Sequence, residues 1–569
     1  MDRITVLLII IITSLISACA TTSQPKTSEI SIGNPGDYKF SEPHVNVMYD
    51  LMVAELAAQR GMSELAVKYY LSAARASRDP EVAERAVRIA NVANHKQEAM
   101  EAARIWVEAE PDNIDASRML AFLYLNNGQY EKAKEELKTI LAAGPDKRAR
   151  TFLFLSTLMH REVPPEPSYE VILYLTDLYP DLPEAQYVAA SLALRANKVT
   201  QAMDHIKLAL GLKREWSEAV VLRARIVQMQ DGVDAALEYL HNYLKVYPQK
   251  DDVRLTYARA LVEARRLKDA RSQFEVLAVK MPDNEDVLFA LAMLSMQFQQ
   301  LEEAEGYLSQ LVDLGKRTPQ IAFYLGQISE RKKRDDVAME WYSSILSGEY
   351  LFDAQLRIGA IIARMSSIEE AQKHLSQVKA NSIDDQRELI LFEGQLLRDQ
   401  KKYKQVFELY GNALNKKAFK NDNDILYERA LIAEHIGKVD LAIKDLELVV
   451  KQQPENAAAL NALGYTLADR TKRFDEAYAY VKKAMDLEPD DPAIMDSMGW
   501  VHYRRGEHDE ALKYLAKAME ILQDGEVAAH YGEVLWSMGQ QDKAREVWDK
   551  ALKDFGDNDV LRETLERYK

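Results

Sequence analysis

The sequence has very little cysteine and no excess of positive charge. Cys19 is the single cysteine among 569 residues, so no disulfide can form within the chain. Lysine and arginine number 73 against 89 aspartates and glutamates, which gives a formal net charge of −16 at pH 7. This balance argues against nucleic-acid binding, which requires a basic stripe, and against electrostatic attachment to anionic lipid.

The sequence also lacks the short motifs of catalysis and metal binding. It contains no HExxH, no GxSxG, no glycine-rich phosphate loop and no GxGxxG that follows a strand. His502 and His508 lie six residues apart across a predicted helix end, which is a poor spacing for a shared metal. We therefore predict no catalytic residue, no metal site, no small-molecule substrate and no cofactor other than a lipid on Cys19. The chain is not expected to be an enzyme.

Long hydrophobic runs are missing as well, and the N-terminal one is short. Arg3 precedes an apolar stretch from Val6 to Ile12, and small residues lead into Cys19. This pattern is too short to span a membrane comfortably and predicts a secretory signal peptide at residues 1–18. An uncleaved N-terminal anchor with an incidental cysteine is the alternative.

The end of this segment, from Ile16 to Cys19, resembles a bacterial lipobox. The resemblance implies cleavage before Cys19 and attachment of a diacylglyceryl group and an N-acyl chain to that cysteine. Ala20 in place of aspartate implies sorting to the periplasmic face of the outer membrane. Residues 19–42 are polar and rich in Ser, Pro and Gly, so we expect a lipidated flexible tether with a reach of about 25 Å.

One pattern occurs twice near the C-terminus and organises the rest of the chain. Its small residues and proline are typical of a helix-turn-helix in which two helices pack closely and the second ends at proline. These are the landmarks of the tetratricopeptide repeat, of about 34 residues. The first copy has Gly464, Ala477, Ala484 and Pro489, and the second has Gly499, Ala511 and Ala518.

Weaker copies of the landmarks extend through most of the chain. The sequence predicts an all-α, tetratricopeptide-repeat superhelical solenoid of about 15 helix pairs. Residues 43–182 are assigned to N-terminal repeats with one irregular Pro-rich repeat, 183–558 to the superhelix and 559–569 to a capping helix. The predicted repeat starts are Asn46, Pro80, Ile114, Lys147, Pro183, Ser217, Asp251, Glu285, Pro319, Phe352, Arg387, Asn423, Ala457, Pro492 and Gly525.

Two regions depart from the pattern. Between Val163 and Pro167 three prolines occur in five residues, which predicts an extended break. The break is either a bend between an N-terminal block and the longer superhelix, or one irregular connector. From Lys379 to Asn423 the connector is longer and Val406 replaces the small residue, which suggests a local change of twist.

A tetratricopeptide array binds partners in a concave groove lined by the first helix of each repeat. The second, fifth, ninth and twelfth positions of that helix face the groove. Aromatic rings beside polar groups would suit an extended or helical peptide, although such rings can instead pack between helices. These positions assign a protein-binding groove to Tyr427, Glu434, Asn461, Tyr465, Asp496, Trp500, Tyr503, Glu533 and Trp536.

Parts of the sequence resemble a group of proteobacterial outer-membrane tetratricopeptide lipoproteins. The resemblance is carried by Ala54–Leu71, Pro80–Ala90 and the residues from Asn461 to Tyr503. It implies an adaptor that binds and activates a periplasmic carboxyl-terminal processing protease and presents peptidoglycan hydrolases to it. The alternative is a role in assembling outer-membrane proteins, pili, exported polysaccharide or cell-wall synthases. A third class, the substrate-binding arm of a transferase, would need a further domain, for which the repeats leave no room.

Overall fold

The computed structural model describes residues 43–144, 147–556 and 558–568. Within these ranges the backbone forms 31 α-helices and a 3-10 turn at Lys417–Phe419, with no β-strand. The predicted signal peptide at residues 1–18, the lipidation site Cys19 and the tether at 19–42 lie outside the described residues.

Contacts divide the chain into two compact units, Met1–Leu277 and Ala278–Lys569, called here the N-terminal and C-terminal units. The helices up to this boundary are α1 Pro43–Gln59, α2 Ser63–Ser77, α3 Pro80–Val92, α4 Lys96–Ala109, α5 Ile114–Asn126, α6 Tyr130–Ala143, α7 Arg148–Glu162, α8 Pro165–Asp177, α9 Pro183–Arg195, α10 Val199–Leu212, α11 Ser217–Asp231, α12 Val233–Val246, α13 Asp251–Glu263 and α14 Leu267–Lys280.

The helices of the C-terminal unit follow in order. They are α15 Glu285–Gln297, α16 Leu301–Asp313, α17 Pro319–Arg331, α18 Asp335–Ser343, α19 Leu351–Met365, α20 Ile368–Leu375, α21 Ile383–Asp399, α22 Tyr403–Asn415, α23 Asn423–His435, α24 Val439–Gln452, α25 Ala457–Arg470, α26 Phe474–Leu487, α27 Pro492–Arg504, α28 His508–Ile521, α29 Gly525–Ser537, α30 Gln541–Phe555 and α31 Asp559–Arg567.

The first 30 helices form 15 consecutive pairs, as the sequence predicted. Most first helices begin at the predicted residue. At seven of these starts an Asp or Asn side chain accepts hydrogen bonds from the free backbone N–H groups of the first turn. Asp491, for example, accepts from Ala493 at 2.8 Å and Ile494 at 2.9 Å. The largest difference is α21, which starts at Ile383 rather than Arg387, since Ser382 and Asp385 form a reciprocal capping box.

Glycine and alanine bring the two helices of a pair together. A Cβ atom on Gly499 would lie 2.5 Å from Leu515 Cγ, and one on Gly359 would lie 2.7 Å from Leu375 Cδ2. The landmark alanines are fully buried at the same contacts. The predicted reason for the small residues is thereby confirmed. Gly394 and Gly532 play the same part against Tyr410 and Trp548, and the sequence analysis missed them.

The Pro-rich connector is shorter than expected. Helix α7 ends at Glu162 and α8 begins at Pro165, so only Val163 and Pro164 are extended. The predicted five-residue break is wrong, because proline at the first helical positions needs no backbone partner and its fixed φ suits a helix. The predicted division at 182 and 183 falls inside the N-terminal unit, where α8 and α9 pack on each other.

The expected capping helix is α31. Leu561 is fully buried, and Leu565 packs on the same hydrophobic cluster, which includes Trp548. The helix packs mainly on α29, the first helix of the last pair. Its Asp, Arg and Glu residues are on other faces, so the charges stay exposed while the two leucines are covered.

Two Gly→Ala variants test the close approach of paired helices. We expect Gly499→Ala to lower the free energy of unfolding by about 1–3 kcal/mol, because the new methyl group overlaps Leu515 and the Ala511 carbonyl. Gly306→Ala is the matched control, since Gly306 is helical and has open space around it. It should stabilise α16 by about 0.5–1 kcal/mol. Amide hydrogen exchange in α16, α27 and α28 measures the change in stability of each variant. If Gly499→Ala and Gly306→Ala change the protection of their helices equally, the packing argument is contradicted.

Candidate functional site

A polar cavity of about 680 Å³ lies in the C-terminal unit. Its walls come from the first helices of three consecutive pairs, α25, α27 and α29, and from α31. These helices also pack on one another in that order, so residues of successive repeats face one space. The lining residues are Tyr465, Asp469, Arg470, Trp500, Tyr503, Arg504, Gly506, His508, His530, Glu533, Val560, Glu563 and Arg567.

The floor of the cavity is built around His530, which is 2% exposed. Its Nδ1 atom lies 3.0 Å from an Asp496 carboxylate oxygen, and the Trp500 ring stacks on the imidazole with a centroid distance of 4.1 Å. On the other side of the imidazole, Nε2 lies 3.4 Å from the Tyr465 hydroxyl. That hydroxyl donates a hydrogen bond of 2.8 Å to Glu526. The network joins α25, α27 and α29.

The pKa of His530 is strongly perturbed. Burial lowers this pKa, but the carboxylates of Asp496, Glu526 and Asp469 raise it more, and the resulting pKa is about 9. The imidazole is therefore protonated at neutral pH and forms a buried ion pair with Asp496. A protonated ring donates from both nitrogens, so the Tyr465 hydroxyl accepts from Nε2 while it donates to Glu526.

The wall beside this floor is organised by Asp469 at the end of α25. Its carboxylate accepts from the Trp500 indole N–H at 3.1 Å, and its backbone carbonyl accepts from Arg504 at 2.9 Å. The neighbouring Arg470 forms an ion pair with Glu434. These contacts fix the Trp500 ring edge and hold two guanidinium groups at the cavity wall.

The opposite wall is organised by Glu533, whose side chain is 7% exposed. Its carboxylate accepts from the Tyr503 hydroxyl at 3.4 Å and lies 3.2 Å from an Arg567 nitrogen. Burial, reinforced by the Glu533 charge, raises the pKa of Tyr503 and of Tyr568. The cavity thus presents guanidinium donors, carboxylate acceptors and ring faces, which suits a polar peptide rather than an apolar ligand.

The predicted groove residues fall into two groups. Tyr465, Trp500, Tyr503 and Glu533 line the cavity, and Asp496 lies directly beneath it as the partner of His530. Glu434 borders the wall through Arg470. A part in protein binding stays a prediction for all of them. Trp500 is only 4% exposed, so its truncation would damage the core as well as the cavity.

Tyr427, Asn461 and Trp536 do not line the cavity. Tyr427 packs against two hydrophobic clusters between the helices of its repeats. Trp536 stacks on Trp548, with centroids 5.8 Å apart, and contacts the Tyr568 ring, because α31 covers this end of α29. The Asn461 side-chain oxygen is buried with no hydrogen-bond partner in the described part of the chain. The alternative in which rings pack between helices describes Tyr427 and Trp536.

The sequence analysis did not select Asp469, Arg470, Arg504, His530 and Arg567. Asp469 and Arg504 are both the thirteenth residue of their repeats, one place beyond the positions that were read. The last turn of each first helix therefore carried a usable signal. No such sequence signal marks His530, since its role depends on Asp496 in the preceding repeat.

Neither a metal site nor a membrane span is found among the described residues. No cluster of three or more His, Cys, Asp or Glu side chains is arranged to hold a metal ion there. In the same ranges no helix combines the length and the hydrophobicity needed to cross a bilayer.

Comparisons with known proteins agree with the helix pairs. Tetratricopeptide repeat family models match residues 95–153, 230–279, 289–350 and 455–524. The chain is 34% identical over 523 residues to the TPR repeat-containing protein PA4667 of Pseudomonas aeruginosa, covering 91% of this chain and 88% of that protein. The chain belongs to the tetratricopeptide repeat proteins. The predicted all-α repeat fold is therefore confirmed, and such repeats are scaffolds for protein binding.

Two more distant similarities were found. The chain is 28% identical over 129 residues to the mitochondrial import receptor subunit TOM70 of Rattus norvegicus, which covers 22% of this chain and 21% of that protein. The crystal structure of TTC0263, a thermophilic TPR protein of Thermus thermophilus, aligns with a TM-score of 0.28 and 23% identity, covering 30% of this chain and 93% of that one.

The buried ion pair predicts a pH-dependent stability. The His530 pKa rises from 6.5 to about 9 on folding, so its contribution is fully present below pH 6.5 and is lost as the pH rises through 9. We expect the free energy of unfolding to fall by roughly 3 kcal/mol between pH 6 and 10, measured by urea unfolding. His530→Gln keeps a hydrogen-bonding side chain but cannot titrate. If that variant retains the full pH dependence, the ion pair is not its source.

Proposed function

We propose that the chain is a non-catalytic scaffold that binds proteins in the polar cavity of the C-terminal unit. The observation that carries the proposal is the convergence of three exposed or half-buried arginines, Arg470, Arg504 and Arg567, on a space floored by aromatic rings. Guanidinium groups and aromatic rings are the side chains that contribute most to protein recognition. Binding of a partner in this cavity requires no catalytic step by the chain.

We further propose that the bound partner is a periplasmic carboxyl-terminal processing protease, which the scaffold activates, and that peptidoglycan hydrolases are its clients. The support is the resemblance of Ala54–Leu71, Pro80–Ala90 and the segment from Asn461 to Tyr503 to lipoproteins with that role. The last segment contributes α25 and α27 to the cavity. A scaffold that holds enzyme and client together raises their effective concentration, which accounts for activation without catalysis.

The proposal for the location of the protein is based on the sequence of the N-terminal segment. We propose that residues 1–18 are removed and that Cys19 carries the lipid that holds the chain on the periplasmic face of the outer membrane. Several acyl chains make such anchoring stable, whereas a single chain binds reversibly. The proposal rests on the apolar run before the single cysteine of the sequence.

The first experiment tests the partner. A soluble form of the mature chain without the lipidated cysteine, residues 20–569 with an affinity tag, is incubated with periplasmic extract of its own organism, and captured proteins are identified by mass spectrometry. We expect a carboxyl-terminal processing protease together with cell-wall hydrolases. Recovery of barrel-assembly, pilus or polysaccharide-export components without a protease would favour the assembly role instead.

A variant pair assigns the binding to the cavity. We expect Arg470→Gln with Arg567→Gln to weaken capture by about tenfold, because both side chains are roughly half exposed at the cavity. Arg266→Gln is the matched control, since Arg266 is 49% exposed, is paired with Asp269 and lies in the N-terminal unit. If the control weakens capture as much as the double variant, the cavity is not the binding site.

The lipid anchor is tested by Cys19→Ser. We expect the wild-type chain in the outer-membrane fraction and the variant in the soluble periplasmic fraction or retained as an unprocessed precursor, measured by sucrose-gradient fractionation and immunoblotting. Metabolic labelling with a palmitate analogue should mark only the wild type. Labelled, membrane-bound Cys19→Ser protein would refute the lipobox interpretation.

A further inference from the structure

The N-terminal unit contains a second cavity, of opposite chemistry. It has a volume of about 340 Å³ and is lined by α5 and α7, the first helices of the third and fourth pairs, together with Trp106 of α4 and Leu137 and Ile140 of α6. Its walls are largely apolar, with Met119, Phe122 and Leu125 from α5 and Phe154, Leu155 and Leu158 from α7. We call this space the apolar trough.

The trough corresponds in part to the polar cavity, since both involve the ninth position of a first helix. Phe122 and Leu125 are the ninth and twelfth residues of the repeat that starts at Ile114. In the C-terminal unit the ninth position carries Tyr465, Trp500 and Glu533. Leu125 is 2% exposed, so Phe122 is the residue of the two that offers surface to a ligand. An apolar side chain at a position that elsewhere faces a binding space indicates a second binding surface of different specificity.

Helix α7 leaves part of its apolar surface uncovered. Phe154 is 58% exposed and Leu153 is 39% exposed, although Phe152 on the next face is fully buried. Within the pair, α7 packs only slightly on α8, and it packs mainly on α9. Arg195 of α9 donates hydrogen bonds of 2.8 Å to the carbonyls of Met159 and Val163, which holds the end of α7 in this position.

The sequence of α7 and its ends is net basic, unlike the whole chain. From Asp146 to Glu162 there are four Lys or Arg residues and two carboxylates, in a chain of net charge −16. Arg150 is exposed one turn before Phe154 on the same helix face. The one carboxylate at the trough, Asp115, is paired with Arg118 at 2.9 Å. Because salt screens charges beyond about 8–10 Å, a ligand in the trough experiences this local basic segment rather than the net charge.

We propose that the apolar trough binds the apolar face of an acidic amphipathic helix of a partner protein. Leu, Ile or Phe side chains of the partner would fill the space between α5 and α7, and its Asp or Glu side chains would lie beside Arg150. A groove between helices that accepts residues at helical spacing is an established mode of peptide recognition. A lipid bilayer fits less well, because the apolar side chains line a recess rather than a protruding surface.

The test uses a synthetic peptide and the mature chain, residues 20–569. The probe is a fluorescein-labelled Leu/Glu amphipathic helix of about 18 residues, five helical turns. A Leu/Lys peptide with the same Leu spacing is the charge-reversed comparison. By fluorescence anisotropy we expect the Leu/Glu peptide to bind at least about tenfold more tightly.

Three variants assign the binding to the trough. Phe154→Ser should weaken Leu/Glu binding about tenfold, and Arg150→Glu should reverse the preference between the peptides. Leu346→Ser is the matched control, because Leu346 is an aliphatic residue 83% exposed in the C-terminal unit. It should leave binding unchanged. Phe154 is largely exposed, so its replacement should not disturb folding, which circular dichroism checks.

Several results would overturn the proposal. They are equal binding of the two peptides, no effect of Phe154→Ser, or a matching loss in the Leu346→Ser control. Binding to phosphatidylglycerol vesicles that Phe154→Ser abolishes, with no peptide binding, would assign the surface to lipid. Peptide binding that appears only in a chain beginning at residue 43 would show that residues 20–42 occupy the trough.

The proposal for the trough and the proposal for the polar cavity can be refuted independently. Arg470→Gln with Arg567→Gln should leave peptide binding to the trough intact, while it weakens capture by the polar cavity. Loss of both activities in that double variant would mean that the peptide binds the polar cavity, which refutes the trough proposal alone.

Discussion

The close approach of two helices in each pair is the contact on which the rest of the structure depends. At Gly499 and Gly359 a single added methyl group would meet the side chain of the facing helix. Because backbone packs almost directly on side chain, the spacing of each pair is fixed within narrow limits. Each first helix is then free to present its remaining side chains to its neighbours in the array. The polar cavity lies among first helices whose pairs pack in this way, whereas α7 at the trough packs only slightly on its partner α8.

One backbone arrangement supports two binding chemistries. The polar cavity is lined by rings, arginines and carboxylates, and the trough by Phe, Leu and Met. Part of the difference comes from corresponding positions of the first helices, such as Phe122 against Tyr465, and the trough is also bordered by the second helices α4 and α6. A tetratricopeptide scaffold can therefore change its partners through a few exposed positions without disturbing the core.

Much of the fold could be predicted because the determinants are local. Capping residues, prolines and small residues act within one repeat, so the starts of most first helices were found from the sequence. The errors in the predicted fold also concern local determinants, namely prolines and glycines. The three prolines near 165 predicted an extended break, although two of them are favourable in the first turn of α8. Gly532 was missed although it is the eighth residue of its repeat, the position that Gly464 and Gly499 occupy in theirs, so the sequence did carry a signal for it.

The candidate site was only partly predictable, because it depends on contacts between repeats. Position numbers identified Tyr465, Trp500, Tyr503 and Glu533, which do line the cavity. They could not show that α31 would cover Trp536, nor that Asp496 would pair with His530 in the next repeat. Such pairings join residues more than thirty positions apart and leave no periodic signal.

The pairing of Asp496 with His530 also limits how the chain can change by duplication and exchange of repeats. A buried charge that loses its partner costs several kcal/mol, far more than a surface substitution. Replacing the repeat that begins at Pro492 with another copy of the general pattern would leave His530 without its carboxylate. The order of the last two repeats is therefore constrained by this ion pair as well as by the repeat pattern.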